Sequence, residues 1–279
     1  MHFTMYARFN TMVNQQGLEA AADYAAKMGF SSVEFLESLT PTAVPDTKAA
    51  AEAKKILSDR GLTAACYSVG INLWQSPEAE KALMRHAEIA AALGCPYLHH
   101  TLLTWLVKNP ELPAFEPAVE YVTDAAARIA RHAAPLGVTC IYEDQGLYAN
   151  GVDGFGVFWK EIRNRCSNTG ICGDIGNILF VDETPENFFA AYAGEIRHVH
   201  IKDYLRKSAP VSPGKYWMPT ANGNWLRDTM VGSGVIDFAS CMKILKDAGY
   251  SGAYALETEH PEPFEEGLIQ AMEYLRRFE

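Results

Sequence analysis

Residues 77–101, PEAEKALMRHAEIAAALGCPYLHHT, carry the repeating unit of this chain. Pro77 opens a helical run and Gly94 follows its last apolar residue, Leu93. That order suits a helix: proline gives up an N–H that the first turn does not use, and glycine adopts the left-handed conformation that closes the last turn. Directly afterwards, Tyr97 to Thr101 reads as a short strand. A helix feeding a strand with no hairpin between them points to parallel β/α construction.

The same pattern recurs in both directions. Candidate strands are Phe3 to Phe9, Ser32 to Glu37, Thr63 to Val69, Tyr97 to Thr101, Val138 to Glu143, Gly170 to Asp174, His198 to Lys202 and Ala253 to Glu257. Helices are expected at Gln16 to Met28, Thr47 to Arg60, Pro77 to Leu93, Phe115 to Leu136, Gly154 to Cys166, Pro185 to Tyr192, Phe238 to Ala248 and Pro263 to Phe278. Strand centres fall roughly thirty residues apart, the length of a βαβ unit. Eight such pairs close a barrel, so the expected fold is α/β, a single (β/α)8 barrel domain over residues 1–279. Two segments after strands are longer than the rhythm requires, 102–113 and an insertion at about 204–234, and strand-following loops are where a barrel builds its active face. Neither G-x-G-x-x-G nor G-x-x-x-x-G-K-[ST] follows a strand, which weighs against a nucleotide-binding open sheet.

At 279 residues, 48% hydrophobic and 21% charged, the chain is long enough for one barrel. At this size a core needs no disulfide or zinc staple. Its formal charge of −10 argues against binding a phosphate backbone, so no nucleic-acid partner is expected. The N-terminus lacks the basic and apolar regions of a signal peptide, and no apolar window of about 18 residues occurs, so neither secretion nor a membrane is expected. The six cysteines, Cys66, Cys95, Cys140, Cys166, Cys172 and Cys241, form no C-x-x-C pair and lie mostly in apolar runs. They read as small hydrophobes in a reduced, cytoplasmic setting.

In a β/α barrel the chemistry comes from the carboxyl ends of strands. The fifth candidate strand ends in CIYEDQG with Glu143, the sixth in ICGDIGN with Asp174, the seventh in HVHIKDY with His200, and the eighth in YALETEHP with Glu257. Alternate residues share a strand face, so His198, His200 and Lys202 point one way, as do Ala253, Ala255 and Glu257. Three converging carboxylates would repel and raise one another's pKa, and a divalent cation relieves that repulsion. Three carboxylates with one imidazole form an oxygen-rich shell for one divalent ion, Mn²⁺ first, with Mg²⁺, Co²⁺ or Zn²⁺ also compatible. For any one of these acids taken alone, a helix cap or rim salt bridge is the ordinary role.

The order of E, D, H-x-H-x-K-D, G-x-G-x-I-D-F and G-Y-x-G-x-x-x-L-E, the last two being VGSGVIDF (231–238) and GYSGAYALETE (249–259), resembles the xylose-isomerase-like TIM-barrel superfamily. That superfamily includes sugar phosphate isomerases and epimerases, ketose 3-epimerases, inosose dehydratases and endonuclease IV nucleases. The resemblance implies that Glu143, Asp174, His200 and Glu257 are metal ligands and that Glu143 and Glu257 exchange protons with substrate as the catalytic pair. It also implies that Arg206 binds substrate. Two positions depart from the pattern: Asn177 stands where many relatives have a substrate-contacting histidine, and Ala149 where ketose 3-epimerases often carry a second glutamate.

Isomerisation next to a carbonyl needs a base, an acid and a Lewis acid that holds the enediolate oxygen, and Glu143, Glu257 and a divalent ion match those parts. The expected function is a metal-dependent isomerase or epimerase of a sugar, keto-polyol or related hydroxy-carbonyl compound. The alternative is a lyase of the inosose-dehydratase type, since the same parts serve loss of water. A multi-metal nuclease would need more histidines and carboxylates and a basic channel, and a non-catalytic sugar-binding barrel would keep the metal for structure alone. His100 and Asn177 are substrate-binding candidates, His100 having core packing as its other reading. Lys202 either binds a substrate hydroxyl or pairs with a carboxylate of the metal shell. Trp105, like Trp74, Trp217 and Trp225, either walls a sugar pocket or packs, within the molecule or in a homo-oligomer. The 204–234 insertion is either a lid or a surface and oligomer contact.

Overall fold

The computed structural model describes residues 1–103, 114–146, 149–258 and 264–279. Its strands are β1 (His2–Met5), β2 (Ser32–Leu36), β3 (Thr63–Val69), β4 (Tyr97–His100), β5 (Thr139–Glu143), β6 (Thr169–Asp174), β7 (Ile196–Ile201), β8 (Asp203–Ser208), β9 (Met218–Pro219), β10 (Asn224–Thr229) and β11 (Ala253–Leu256). The helices are α1 (Ala7–Gln16), α2 (Leu18–Lys27), α3 (Thr47–Ser58), α4 (Pro77–Leu93), α5 (Phe115–Ala133), α6 (Val152–Arg165), α7 (Pro185–Tyr192), α8 (Phe238–Asp247) and α9 (Phe264–Arg276). β1 to β7 and β11 close into a barrel in the order β1-β11-β7-β6-β5-β4-β3-β2, as the strand rhythm predicts. Among the described residues no helix is long and apolar enough to cross a membrane.

The start of the chain departs from the expected elements. The first strand ends at Met5 instead of Phe9, and residues 7–16 form a helix of their own. α1 buries Phe9, Asn10, Met12 and Val13, a helical spacing that the short apolar run hides. Asn10 holds this helix to β2: its amide donates to the Glu34 carbonyl (2.9 Å) and its Oδ1 accepts from Leu36 N (2.7 Å). The chain breaks at Gly17, with φ of 88°, before α2 begins.

Most apolar burial lies between strands and helices, where one large cluster extends around the barrel. Inside the barrel the apolar cluster is small: Cys66, Ile141 and Cys172, with Tyr97 at its edge. Above it the interior side chains are polar, among them Glu34, Ser68, His99, Glu143, Asp174, His198 and His200, all buried. A barrel built only for stability fills this space with branched apolar layers. The six cysteines are free thiols.

The 204–234 insertion folds as a three-stranded antiparallel sheet, β8-β10-β9. Two aspartates tie it down. Asp182 Oδ1 accepts from Arg206 Nη2 (2.7 Å) and Asn224 Nδ2 (2.8 Å), while its Oδ2 accepts from Thr220 Oγ1 (2.6 Å). Asp203 accepts from the backbone N–H groups of Tyr204, Gly232, Gly234 and Ile236, which explains the pairing of K-D with G-x-G-x-I-D-F. A Cβ at Gly234 would lie 2.1 Å from Asp203 Oδ1 and 2.4 Å from the Tyr204 carbonyl oxygen.

Gly234→Ala therefore forces the Asp203 cradle apart. We expect a loss of about 1–3 kcal/mol in urea unfolding, the usual cost of overpacking. Gly194→Ala, where a Cβ meets nothing within 4 Å, should change stability by less than about 0.5 kcal/mol. Equal stability of the two variants would contradict the role given to this loop.

Candidate metal centre

Glu143 is the last residue of β5, Asp174 the last of β6, His200 lies one before the end of β7, and Glu257 follows β11. Barrel closure brings them together: one ligand atom from each lies within 4.8 Å of those of the other three. His200 Nδ1 is 2.8 Å from Glu143 Oε1, 3.3 Å from Glu257 Oε2 and 3.8 Å from Asp174 Oδ2. The cluster sits at the carboxyl ends of the strands, and only Glu257 keeps appreciable exposure, 29% of its side chain.

Each carboxylate is aimed by local structure. Asp174 Oδ1 accepts from Gly176 N and Asn177 N, both at 2.8 Å, so the turn after β6 caps itself and leaves Oδ2 for the centre. Asp144 Oδ1 accepts from Asp174 N (2.9 Å) and locks the ends of β5 and β6 together. Lys202 Nζ lies 2.8 Å from Asp174 Oδ2 and 2.9 Å from Glu257 Oε2, and it donates to Asn177 Oδ1 at 3.2 Å. Its stem can take this path because residue 176 is glycine, where a Cβ would lie 2.5 Å from Lys202 Cγ.

The electrostatics separate the two glutamates. Burial and the neighbouring Asp174 push Glu143 up to about 8. Burial would also raise Glu257, but the Lys202 ammonium and His200 bring it down to about 2. Burial would lower the Lys202 pKa, but Asp174 and Glu257 hold it well above the ordinary lysine value. Burial alone would likewise lower His200; Cys172, Glu34 and Glu143 around it raise it well above the ordinary histidine value.

The donor set fits a divalent cation. Carboxylate oxygens with one imidazole nitrogen suit Mg²⁺, Mn²⁺, Co²⁺ or Zn²⁺. Asp174 Oδ2, Glu257 Oε2 and His99 Nε2 are buried and take part in no well-directed hydrogen bond; Lys202 approaches the two oxygens as a charge. Cys66 and Cys172 also stand within ligand distance of Glu34 and His198, and of Glu143 and His200, respectively. Burial pushes both thiols up, so they fill the barrel floor as neutral groups.

The other residues singled out in the sequence are distributed unevenly. Lys202 and Asn177 join the centre, and Asn177 Nδ2 is buried without a hydrogen-bond partner. His100 does not face it: its ring packs edge-on against Tyr142 in the strand–helix layer, and its Nδ1 contacts the Thr101 carbonyl. Strand alternation sends His99 inward instead, with Nε2 3.7 Å from Glu143 Oε2. Arg206 is held by Asp182 in the three-stranded sheet. Trp217 packs there between Lys207 and Arg227, Trp225 donates to the Ala209 carbonyl, and Trp74 meets Tyr121 edge-on. Trp105 lies outside the described residues.

Glu34 was absent from the sequence reading. It sits within β2, is fully buried, and reaches His198 Nε2 (2.7 Å) and His200 Nε2 (3.0 Å) across the barrel. An acid inside an apolar strand, S-V-E-F-L, was the available signal, since a charge at such a position needs a buried partner. Tyr6 adds an aromatic face, its ring stacked on His200 at 5.0 Å.

Comparison with known proteins agrees with the fold. The model of a family described as xylose isomerase-like TIM barrel matches residues 22–278. An inosose dehydratase of Lacticaseibacillus casei is 23% identical over 231 residues, 77% of this chain and 75% of that protein. An inosose dehydratase of Bacillus thuringiensis is 30% identical over 110 residues, 37% of this chain and only 36% of that protein's length. Among solved structures, D-allulose 3-epimerase from Methylomonas sp. in complex with D-allulose aligns with a TM-score of 0.76 at 18% identity, covering 100% of this chain and 97% of that one. An IOLI protein with a binding zinc atom aligns with a TM-score of 0.74 at 15% identity, covering 100% and 96%. At these identities the structural likenesses establish the fold.

The fit of the cluster to a cation has a thermal consequence. Mn²⁺ at about a hundred times its Kd should stabilise the purified chain by about 2.7 kcal/mol. At roughly 2–4 °C per kcal/mol that is a rise of several degrees in Tm, reversed by chelation. Asp174→Asn should lose the rise; a metal response equal to that of the unsubstituted chain would contradict the assignment.

Proposed function

The chain belongs to the xylose isomerase-like TIM barrel family, and on that premise we propose that it is a divalent-metal-dependent isomerase or epimerase of a sugar, keto-polyol or related hydroxy-carbonyl compound. The observation that carries this reading is the convergence of Glu143, Asp174, His200 and Glu257 within 4.8 Å at the catalytic face of the barrel. These four residues would hold the cation, Mn²⁺ being the first expectation from an oxygen-rich shell. When bound, such an ion polarises a carbonyl and the hydroxyl beside it.

The protein's own residues then do the rest. Glu257, kept ionised by Lys202, is the base that takes a proton from the carbon next to the carbonyl. Glu143, the other carboxyl of the pair, is the acid that returns one. Asn177 Nδ2 offers a donor to a substrate hydroxyl, and His99 Nε2 offers an acceptor. A polyhydroxylated ligand matches these open positions better than an apolar one.

A second reading, dehydration of an inosose-like keto-polyol, is favoured by the alignment with the Lacticaseibacillus casei enzyme. Both reactions begin by removing the same kind of proton and differ in whether a hydroxyl then leaves.

Incubation with a panel of ketoses and inososes in D₂O, followed by mass spectrometry, separates them. Isomerisation or epimerisation conserves the substrate apart from deuterium incorporated at carbon, whereas dehydration removes one water. Glu143→Gln and Glu257→Gln should each lower turnover by about 10²–10⁴-fold, the usual contribution of general acid–base catalysis. Unimpaired turnover in either variant would overturn the two-glutamate mechanism.

A further inference from the structure

We propose that Glu34 is a positioning residue of the metal centre: from the opposite side of the barrel it holds His200 by Nε2 and thereby turns Nδ1 toward Glu143, Asp174 and Glu257. This rests on the metal-dependent reading above.

The geometry is specific. β2 and β7 are not neighbours in the barrel order, so the 3.0 Å contact between Glu34 Oε1 and His200 Nε2 spans the interior. The opposite ring nitrogen, Nδ1, is the one that meets the carboxylates. An imidazole that binds metal through one nitrogen is oriented by the group that accepts from the other, and here the acceptor is Glu34.

Glu34 is itself rigidly placed. In the pairing of β2 with β3 the register shifts by one residue, Ala65 of β3 being the extra one, so that Glu34 stands opposite Cys66. Asn10 clamps the backbone on both sides, through the Glu34 carbonyl and Leu36 N. The carboxylate accepts from His198 Nε2 (2.7 Å) and from Ser68 Oγ (2.5 Å) as well. Because the Ser68 hydrogen goes to Glu34, Ser68 Oγ accepts from His99 Nδ1 at 2.9 Å, which leaves His99 Nε2 as a bare nitrogen near Glu143. One carboxylate thus sets which nitrogen each of two histidines presents to the centre.

Stability alone does not account for it. A fully buried anion is expensive even when paired, and an apolar residue of similar size often stabilises a fold as well or better.

The test has two parts, both on the purified chain. In Zn²⁺-loaded protein labelled with ¹⁵N-histidine, long-range ¹H–¹⁵N spectra should show one imidazole coordinated through Nδ1 with a proton retained on Nε2. Its absence in His200→Gln assigns the signal. Glu34→Gln, stripped of metal and titrated with Co²⁺ against a competing chelator, should bind about 10–100-fold more weakly. Metal binding through His200 Nε2, or a Glu34→Gln Kd equal to that of the unsubstituted chain with only the Tm lowered, overturns the positioning role while leaving the metal reading intact. Failure of the unsubstituted chain to bind any divalent ion overturns the metal reading, and the role of Glu34 with it.

Discussion

The barrel interior buries more carboxylates than its own cations can neutralise. Glu34, Glu143, Asp144 and Asp174 are buried and Glu257 is only partly exposed, with Lys202, His198, His200 and His99 as the available partners. Burial, and after it like charges this close, drive carboxylates toward protonation, and both raise the pKa of Glu143. Three responses are built into the chain: imidazoles claimed by Glu34, an ammonium bridging Asp174 and Glu257, and a residual set of oxygens suited to a divalent ion. The two glutamates differ in their neighbours: Asp174 adds to the rise that burial gives Glu143, whereas Lys202 and His200 bring Glu257 down.

This arrangement explains where the fold spends order. Asn10, Asp144 and Asp203 each use a side chain to fix backbone next to a residue of the centre: Asn10 at Glu34, Asp144 at Asp174, and Asp203 in the segment that follows Lys202. The hydrophobic layer between strands and helices provides the frame, and Cys66, Ile141 and Cys172 close the barrel floor. Polar groups that need accurate placement are thus carried on strands and held by short local hydrogen bonds, which a centre assembled from separate βα units requires.

The barrel was legible in the sequence because glycine and proline punctuate it: Gly94 and Gly137 both adopt left-handed caps where helices were expected to stop. The four acidic and imidazole groups were legible because strand ends in a barrel converge whatever their sequence separation. What escaped has physical causes. His99 and His100 are adjacent, and strand parity at a short four-residue strand is not set until its neighbours fix the register. The pairing of Arg206 with Asp182, which stands in a left-handed turn with φ of 59°, is a long-range contact that leaves no local trace. Glu34 escaped because its meaning depends on partners some 164 and 166 residues away.

The most direct measurement is a crystal structure of the Mn²⁺-soaked protein with diffraction recorded on both sides of the manganese absorption edge. The account predicts a single anomalous peak within about 2.0–2.3 Å of oxygens from Glu143, Asp174 and Glu257 and of His200 Nδ1. No peak at that position, or a peak reached by His200 through Nε2 after the ring has left Glu34, would contradict it.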